Sequence, residues 1–133
     1  TLADLPAEER NARSLRLSDR RWTPEWLAAH PDQAAMVAAY TATAPAEETE
    51  AQIAGRLLQM QARKDFDAID RLHLITCPTF VGSGRFDDIA PLVNGKAIAD
   101  RIPGATLHIY EGGHMFMIQD RAAYPAIIEF LKG

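Results

Sequence analysis

Two stretches decide the fold: Cys77-Pro-Thr-Phe-Val-Gly-Ser-Gly-Arg-Phe-Asp-Asp88, and Gly112-Gly113-His114 further along the chain. The first is a short apolar run that ends in glycines and two carboxylates. The second closes a run of alternating polarity with two glycines and a histidine. Each pattern predicts a β-strand that delivers a polar side chain at its carboxyl end, where open α/β sheets bind their ligands. A carboxylate that orients a histidine is the acid–base half of a nucleophilic triad.

The chain around these stretches predicts a parallel βαβ unit. We expect strands at about residues 75–84 and 105–111, joined by a helix over residues 91–102. Val93, Ala97, Ile98 and Ile102 form the predicted inward face of that helix. A last helix follows residue 119, since Tyr124, Ile127, Ile128 and Leu131 recur at helical spacing.

The first half of the chain predicts a helical layer. Residues 1–21 are rich in arginine, and we interpret them as a surface loop or short helix, with an anion-binding patch as the alternative. Helices are predicted to begin at Thr23-Pro24-Glu25 and His30-Pro31-Asp32, and a third after a break at Thr43-Ala44-Pro45, opened by Glu47, Glu48 and Glu50. We divide the chain into a cap-like segment, 1–64, and an α/β segment, 65–133. We favour a cap over an active site for these helices, with plain packing helices as the alternative.

Composition excludes several classes of protein. The 133 residues carry a net charge of −4, which gives no reason to expect a nucleic-acid or anionic-membrane partner. The single cysteine, Cys77, excludes an internal disulfide, suits a reducing and therefore cytoplasmic location, and is expected in the core. Asp65, Asp67 and Asp70 lack the glycine and glutamate of a calcium loop. We expect neither a metal nor a cofactor.

Residues 72–131 resemble the C-terminal part of an α/β-hydrolase. The matching motifs are I-x-x-P-T followed by G-x-x-D-x-I-x-P, then I-P-G-A, E-G-G-H and I-x-x-F-L, found at residues 75–91, 102–105, 111–114 and 127–131. No single piece is specific, but all of them occur in the expected order. The resemblance implies a partial α/β-hydrolase fold, and residues 1–71 loosely resemble the cap helices of that family.

The resemblance also implies roles for individual residues. Asp87 stands at the aspartate of G-x-x-D and would be the triad acid, with Asp88 as the adjacent contender, and His114 would be the general base. Trp26, Met115 and Phe116 are candidates for an apolar substrate wall, with core packing as the alternative.

The sequence departs from the family at the nucleophile. No two glycines are four residues apart, so the G-x-S-x-G elbow is absent, and so is the HGGG-type loop. The chain starts at Thr1 without methionine. We therefore expect the C-terminal fragment of a serine hydrolase that acts on a small ester-like molecule, inactive by itself. An open sheet edge predicts self-association. The alternative is a non-catalytic α/β binding or assembly domain descended from a hydrolase.

Overall fold

The structure is a computed structural model that describes residues 5–42, 49–64 and 66–133. Within these ranges there are two β-strands, seven α-helices and one 3-10 helix. The helices are α1 Ala7–Ser18, α2 Pro24–Ala29, α3 Pro31–Thr41, α4 Glu50–Lys64, α5 Leu92–Ala99, α6 Phe116–Gln119 and α7 Ala123–Lys132. The 3-10 helix is Ile69–Leu74, and the strands are β1 Phe80–Gly84 and β2 Thr106–Tyr110.

The two strands form the predicted parallel βαβ unit. Phe80 lies opposite Thr106 and Gly84 lies opposite Tyr110. Helix α5 connects the strands and packs on both, and α7 packs on β1. The predicted α/β class is therefore confirmed. Strand β1 begins five residues later than predicted, just after Pro78, which has no N–H to donate to a ladder.

The helix starts follow the capping signals of the sequence. The hydroxyl of Thr23 accepts a hydrogen bond from the N–H of Trp26 at 3.2 Å, and Pro24 is the first residue of α2. Pro31 opens α3 in the same way. Thr49 and Gln52 exchange hydrogen bonds across the first turn of α4. The predicted break at residues 43–45, and Glu47 and Glu48, lie outside the described residues.

Several sequence-based expectations about burial are wrong. Cys77 is exposed, because it precedes β1 and pairs with no strand. Val93 is 66% exposed, since the side of α5 nearest the sheet is the one that carries Gly95, whose Cα faces the hydroxyl of Ser83. Ile98 is also exposed, whereas Ile102 is buried as expected. Of the two predicted forms for residues 1–21, the described part contains a helix, α1.

The buried apolar core is small. Among the described residues its members are Trp22, Val37, Ile102, Tyr110 and Ala123. Helix α4 contributes no buried residue, and α7 leaves Tyr124, Ile128 and Leu131 exposed. None of the described helices is both long enough and apolar enough to cross a lipid bilayer. The fold therefore presents large apolar surfaces around a compact α/β unit.

Candidate functional site

Asp87 and His114 meet at the carboxyl ends of β1 and β2. The carboxylate atom Oδ2 of Asp87 lies 3.0 Å from the ring atom Nδ1 of His114. Asp87 is only 4% exposed, whereas the side chain of His114 is 47% exposed. The pair thus joins a buried carboxylate to an imidazole that reaches solvent.

Backbone amides hold the Asp87 carboxylate in place. Its second oxygen, Oδ1, accepts hydrogen bonds from the N–H groups of Ile89 and Ala90, both at 2.8 Å. These bonds use one oxygen and leave Oδ2 directed at His114. The short turn after β1 therefore orients the carboxylate before any substrate arrives.

The hydrogen bond to Asp87 determines which ring nitrogen of His114 is bare. An ionised carboxylate can only accept a hydrogen bond, so Nδ1 must carry the proton. In the neutral imidazole, Nε2 then has a free lone pair. No hydrogen bond joins Nε2 to any of the residues that the structure describes. This nitrogen can accept a proton from a group that approaches from the solvent side.

Asp88 points away from the histidine. Its Oδ1 atom pairs with the guanidinium of Arg20 at 3.3 Å, and its side chain is 40% exposed. Its N–H donates to the carbonyl of Leu17 at 3.0 Å, so the residue is tied to the end of α1. Of the two adjacent carboxylates, only Asp87 bonds His114.

The glycine doublet lets the histidine loop approach its neighbours closely. A Cβ atom on Gly113 would lie 2.1 Å from the carbonyl oxygen of Ser18, and one on Gly84 would lie 2.1 Å from the carbonyl oxygen of Gly113. No side chain fits at either distance. The N–H of His114 donates to the same Ser18 carbonyl at 2.6 Å. The end of α1 therefore lies directly behind the histidine loop.

Two of the three candidate substrate-wall residues make packing contacts. The ring of Trp26 stacks on His30, with centroids 3.8 Å apart. The ring of Phe116 stacks on Tyr110 at 5.1 Å and lies against Gly82 of β1. No ring contact or side-chain hydrogen bond joins either residue to Asp87 or His114. Met115, the residue after the histidine, is half-buried.

No hydrogen bond joins the hydroxyl of Ser14, Ser18 or Ser83 to the ring of His114. Ser83 is buried, and its hydroxyl faces the Cα of Gly95 on α5. The hydroxyl of Ser18 donates to the carbonyl of Ser14 within α1 at 3.1 Å. The described residues therefore show no hydrogen bond between a serine hydroxyl and this imidazole.

Three residues that sequence reasoning missed lie behind the histidine loop. Asp19 is fully buried, and it bonds both Arg21 and Gln119. Its partner Gln119 is 100 positions away in the sequence. The one local sign of this ion pair in the sequence is that Asp19 stands two positions before Arg21, which precedes Trp22. That pattern is also common on solvated surfaces.

Two cavities flank α1. The larger, about 430 Å³, is lined by one face of α1 together with Arg20 and Asp88. The smaller, about 290 Å³, is lined by Ser18 and Ile89 and by Asn11, Ser14, Leu15, Tyr40 and Thr41. Neither is lined by Asp87 or His114 themselves. The smaller cavity adjoins the pair through Ser18 and Ile89, which bond the backbone of His114 and the carboxylate of Asp87.

Hydrogen bonding and burial change two pKa values close to this loop. The N–H groups of Glu111 and Ala122 donate to Asp120 and lower the pKa of its carboxyl. Burial, with a smaller effect from the charge of Asp120, raises the pKa of Tyr110, whose hydroxyl has no hydrogen-bond partner among the described residues. Within residues 5–42, 49–64 and 66–133, no three His, Cys, Asp or Glu side chains cluster as a metal site would require.

The chain is similar to three curated hydrolases. It is 40% identical over 79 residues to a poly(3-hydroxyalkanoate) depolymerase of Ectopseudomonas oleovorans, which covers 59% of this chain and 28% of the relative. It is 36% identical over 77 residues to a RutD protein of Caulobacter named as a carbamate hydrolase, covering 56% and 29%. It is 39% identical over 57 residues to a proline iminopeptidase of Lacticaseibacillus rhamnosus, covering 43% and 19%.

A solved structure shows the same fold. A hydrolase from Pseudomonas aeruginosa superposes with a TM-score of 0.69 at 24% identity, over 99% of this chain and 47% of the other. No protein-family model matches the sequence. The matched region spans less than a third of each curated relative and about half of the solved hydrolase. The predicted resemblance to the α/β-hydrolases is confirmed: the chain has part of the α/β-hydrolase fold, and the proteins it is similar to are hydrolases.

Proposed function

We propose that this chain provides the acid–base pair of a serine hydrolase, with Asp87 as the triad acid and His114 as the general base. The observation that carries the proposal is the 3.0 Å hydrogen bond between a buried carboxylate and a half-exposed imidazole. The hydrolase relatives support the general class of reaction.

Each member of the pair has a defined task in this proposal. Nε2 of His114 takes the proton of the serine hydroxyl as that oxygen attacks a carbonyl carbon, and later returns the proton to the leaving group. Asp87 keeps the imidazole in the required tautomer and stabilises the imidazolium that forms. The backbone bonds from Ile89 and Ala90 keep the carboxylate from turning away between these steps.

The proposed substrates are small esters, lactones or related acyl compounds. The relatives' names cite a poly(3-hydroxyalkanoate), which is a polyester, and a carbamate. Both contain a carbonyl carbon that a serine can attack. The cavity of about 290 Å³ beside Ser18 and Ile89 is our candidate for the acyl pocket, and it has Leu15 and Tyr40 as apolar walls. Met115 stays a candidate contact. The packing of Trp26 and Phe116 favours a structural role for both.

We propose that the nucleophile and the oxyanion donors come from residues outside these 133. The sequence contains no G-x-S-x-G. An acid–base pair without nucleophile and oxyanion hole lacks most of the rate enhancement of such enzymes. The chain alone is therefore expected not to hydrolyse esters.

Three further expectations stay proposals. The helices of residues 1–64 would act as a cap over the site. The free edge of β1 would mediate self-association, which the exposed apolar residues around the α/β unit support. A cytoplasmic location rests on the single cysteine alone.

Hydrolysis of p-nitrophenyl butyrate by the natural polypeptide that contains this chain tests the main proposal. We expect Asp87→Asn to lower kcat by roughly 10⁴-fold and His114→Ala by roughly 10⁶-fold, the usual costs of losing the acid and the base of a triad. Asp88→Asn and His73→Ala are matched controls that remove the same groups away from the pair, and they should stay within about 3-fold of the parent.

Equal losses in Asp88→Asn and Asp87→Asn would contradict the assignment of the acid. Ester hydrolysis that is unaffected by His114→Ala would contradict the base. A natural polypeptide that neither hydrolyses esters nor reacts with a fluorophosphonate probe would favour the alternative, a non-catalytic binding or assembly domain.

A further inference from the structure

Asp19 is a buried charge that the proposed chemistry does not use. It is fully buried, yet both of its oxygens are occupied. Oδ1 accepts hydrogen bonds from the N–H and the Nε of Arg21, both at 3.0 Å. Oδ2 accepts from Nη2 of Arg21 at 2.6 Å and from Nε2 of Gln119 at 2.8 Å. A carboxylate placed in the interior is costly unless it is paired, so this complete set of donors needs an explanation.

Gln119 connects this carboxylate to the histidine loop. Its Oε1 atom accepts the N–H of Gly113 at 2.8 Å. The next N–H along the chain, that of His114, donates to the carbonyl of Ser18 at 2.6 Å. Two successive amides of the histidine loop are thus held by Ser18 directly and by Asp19 through Gln119.

The same segment also contacts the loop that carries Asp87. The guanidinium of Arg21 lies 3.9 Å from the ring centroid of Phe86, the residue before Asp87. The N–H of Arg20 donates to the carbonyl of Phe86 at 3.0 Å. Residues 18–21 therefore contact the backbone or ring next to both members of the acid–base pair.

The direction of the hydrogen bonds makes the charge of Asp19 important. An ionised carboxylate only accepts, so Gln119 must present its NH₂ group to Asp19. Its carbonyl oxygen is then turned toward the N–H of Gly113. A neutral side chain at position 19 would not impose this orientation, because an amide can offer either a donor or an acceptor.

We propose that Asp19 is a positioning residue for His114, which acts through Gln119 and Arg21 to hold the histidine loop at the distance from Asp87 that their hydrogen bond requires. The inference rests on the proposed function, since it assigns the network a role in preparing the acid–base pair. A purely structural ion pair would stabilise the fold but leave the state of the imidazole unchanged.

NMR of the chain labelled with ¹⁵N in its histidine rings and backbone tests this role without any substrate. In the parent we expect ring ¹⁵N shifts of the Nδ1–H tautomer and a downfield Nδ1 proton. In Asp19→Asn we expect that proton signal to be lost by exchange and the two tautomers to mix. The amide proton of Gly113 should exchange about 10-fold faster, since it loses a well-oriented acceptor.

Two further variants separate positioning from general stability. Asp100→Asn removes the same charge from an exposed site at the end of α5 and should change neither signal. The double variant Asp19→Asn with Gln119→Glu returns a carboxylate to the network and an acceptor to the N–H of Gly113, and should restore both signals. If Asp19→Asn does not fold, as judged by circular dichroism, Gln119→Met keeps the pair of Asp19 and Arg21 and should still lose the protection of Gly113.

The outcomes distinguish this inference from the proposed function. If Asp87→Asn leaves the Nδ1 proton signal in place, the acid–base pair itself is wrong. If Asp87→Asn removes that signal while Asp19→Asn and Gln119→Met keep it, the pair stands and the positioning role is overturned. If the double variant fails to restore the signals that Asp19→Asn loses, the role of Gln119 as the connection is overturned.

Discussion

Residues 18–22 and helix α4 lie in the same predicted cap-like segment but have opposite environments. Asp19 and Trp22 are buried, and their neighbours bond both loops of the candidate site. On α4, Leu57, Leu58 and Met60 are each more than half exposed, and no residue of the helix is buried. The charged, apolar-poor stretch is thus the one held in place, and the amphipathic helix is the one left uncovered.

This difference shows what a hydrophobic pattern reports. The spacing of Ile53, Leu57 and either Met60 or Gln61 predicts a helix with one apolar face, and the helix is present. The pattern does not predict which segment, if any, packs against that face. Residues 18–21 have no apolar pattern, yet close backbone contact at Gly113 and paired buried charge at Asp19 fix them. Polar and steric contacts of this kind are invisible to periodicity.

The largest expected effect comes from replacing one glycine in each region, Gly113 against residues 18–21 and Gly55 on α4. Gly113→Ala places a methyl group 2.1 Å from the Ser18 carbonyl oxygen, and Gly55→Ala on α4 meets nothing within 4 Å. We expect Gly113→Ala to lower the free energy of unfolding by about 3 kcal/mol, since backbone must move. Gly55→Ala should raise helix stability by about 1 kcal/mol through propensity alone.

Urea denaturation followed by circular dichroism measures both variants, and each is the control for the other. If Gly113→Ala is as harmless as Gly55→Ala, residues 18–21 do not lie against the histidine loop as described. If Gly55→Ala is destabilising, α4 is covered in solution.

A second prediction concerns where a second copy binds. The backbone N–H and C=O groups of the odd-numbered residues of β1 point toward β2. The N–H of Gly82 therefore points to the free edge of the sheet. If this edge pairs with another chain, raising the protein concentration should slow amide exchange at Gly82 by about 10-fold or more. The amides of α4 should not change, because their partners lie within the helix.

Hydrogen exchange at two concentrations, together with light scattering, makes this measurement. A monomer at every concentration would contradict self-association. Protection at α4 instead of β1 would place the interface on the exposed face of Leu57 and Leu58. The apolar face of α4 would then be covered by a second copy.

The smallest expected effect is a pH dependence of stability that comes from Asp120, beside the histidine loop. The pKa of Asp120 lies below its ordinary value of 3.8, so the carboxylate stabilises the folded chain fully above that pH. This contribution is lost as the pH falls through the lower, folded-state value. Solvent screening keeps the effect small.

Thermal unfolding scans between pH 2 and 6 of the parent, Asp120→Asn and Asp100→Asn test this contribution. In a plot of Tm against pH, the fall in Tm toward acid pH should become shallower only in Asp120→Asn. If Tm falls equally toward acid pH in both variants, the hydrogen bonds from Glu111 and Ala122 do not favour the ionised form of Asp120.

The sequence by itself determined the local features of this protein. The helix starts at Pro24 and Pro31 and the parallel strands follow from residue types whose backbone preferences act over a few positions. The polar ends of β1 and β2 could also be predicted, because a parallel βαβ unit brings the carboxyl ends of its strands to one edge. The preference for Asp87 over Asp88 came from the resemblance to the α/β-hydrolase motif G-x-x-D.

Tertiary structure alone decided the rest. Only the folded chain shows Asp87 in contact with His114, Asp88 turned to Arg20, and Asp19 joined to Gln119 across 100 positions. It also decided that Cys77 and Val93 are exposed. The physical reason is that burial and charge pairing depend on which distant segments come together. One polar residue of the arginine-rich stretch thus ended up behind the candidate site.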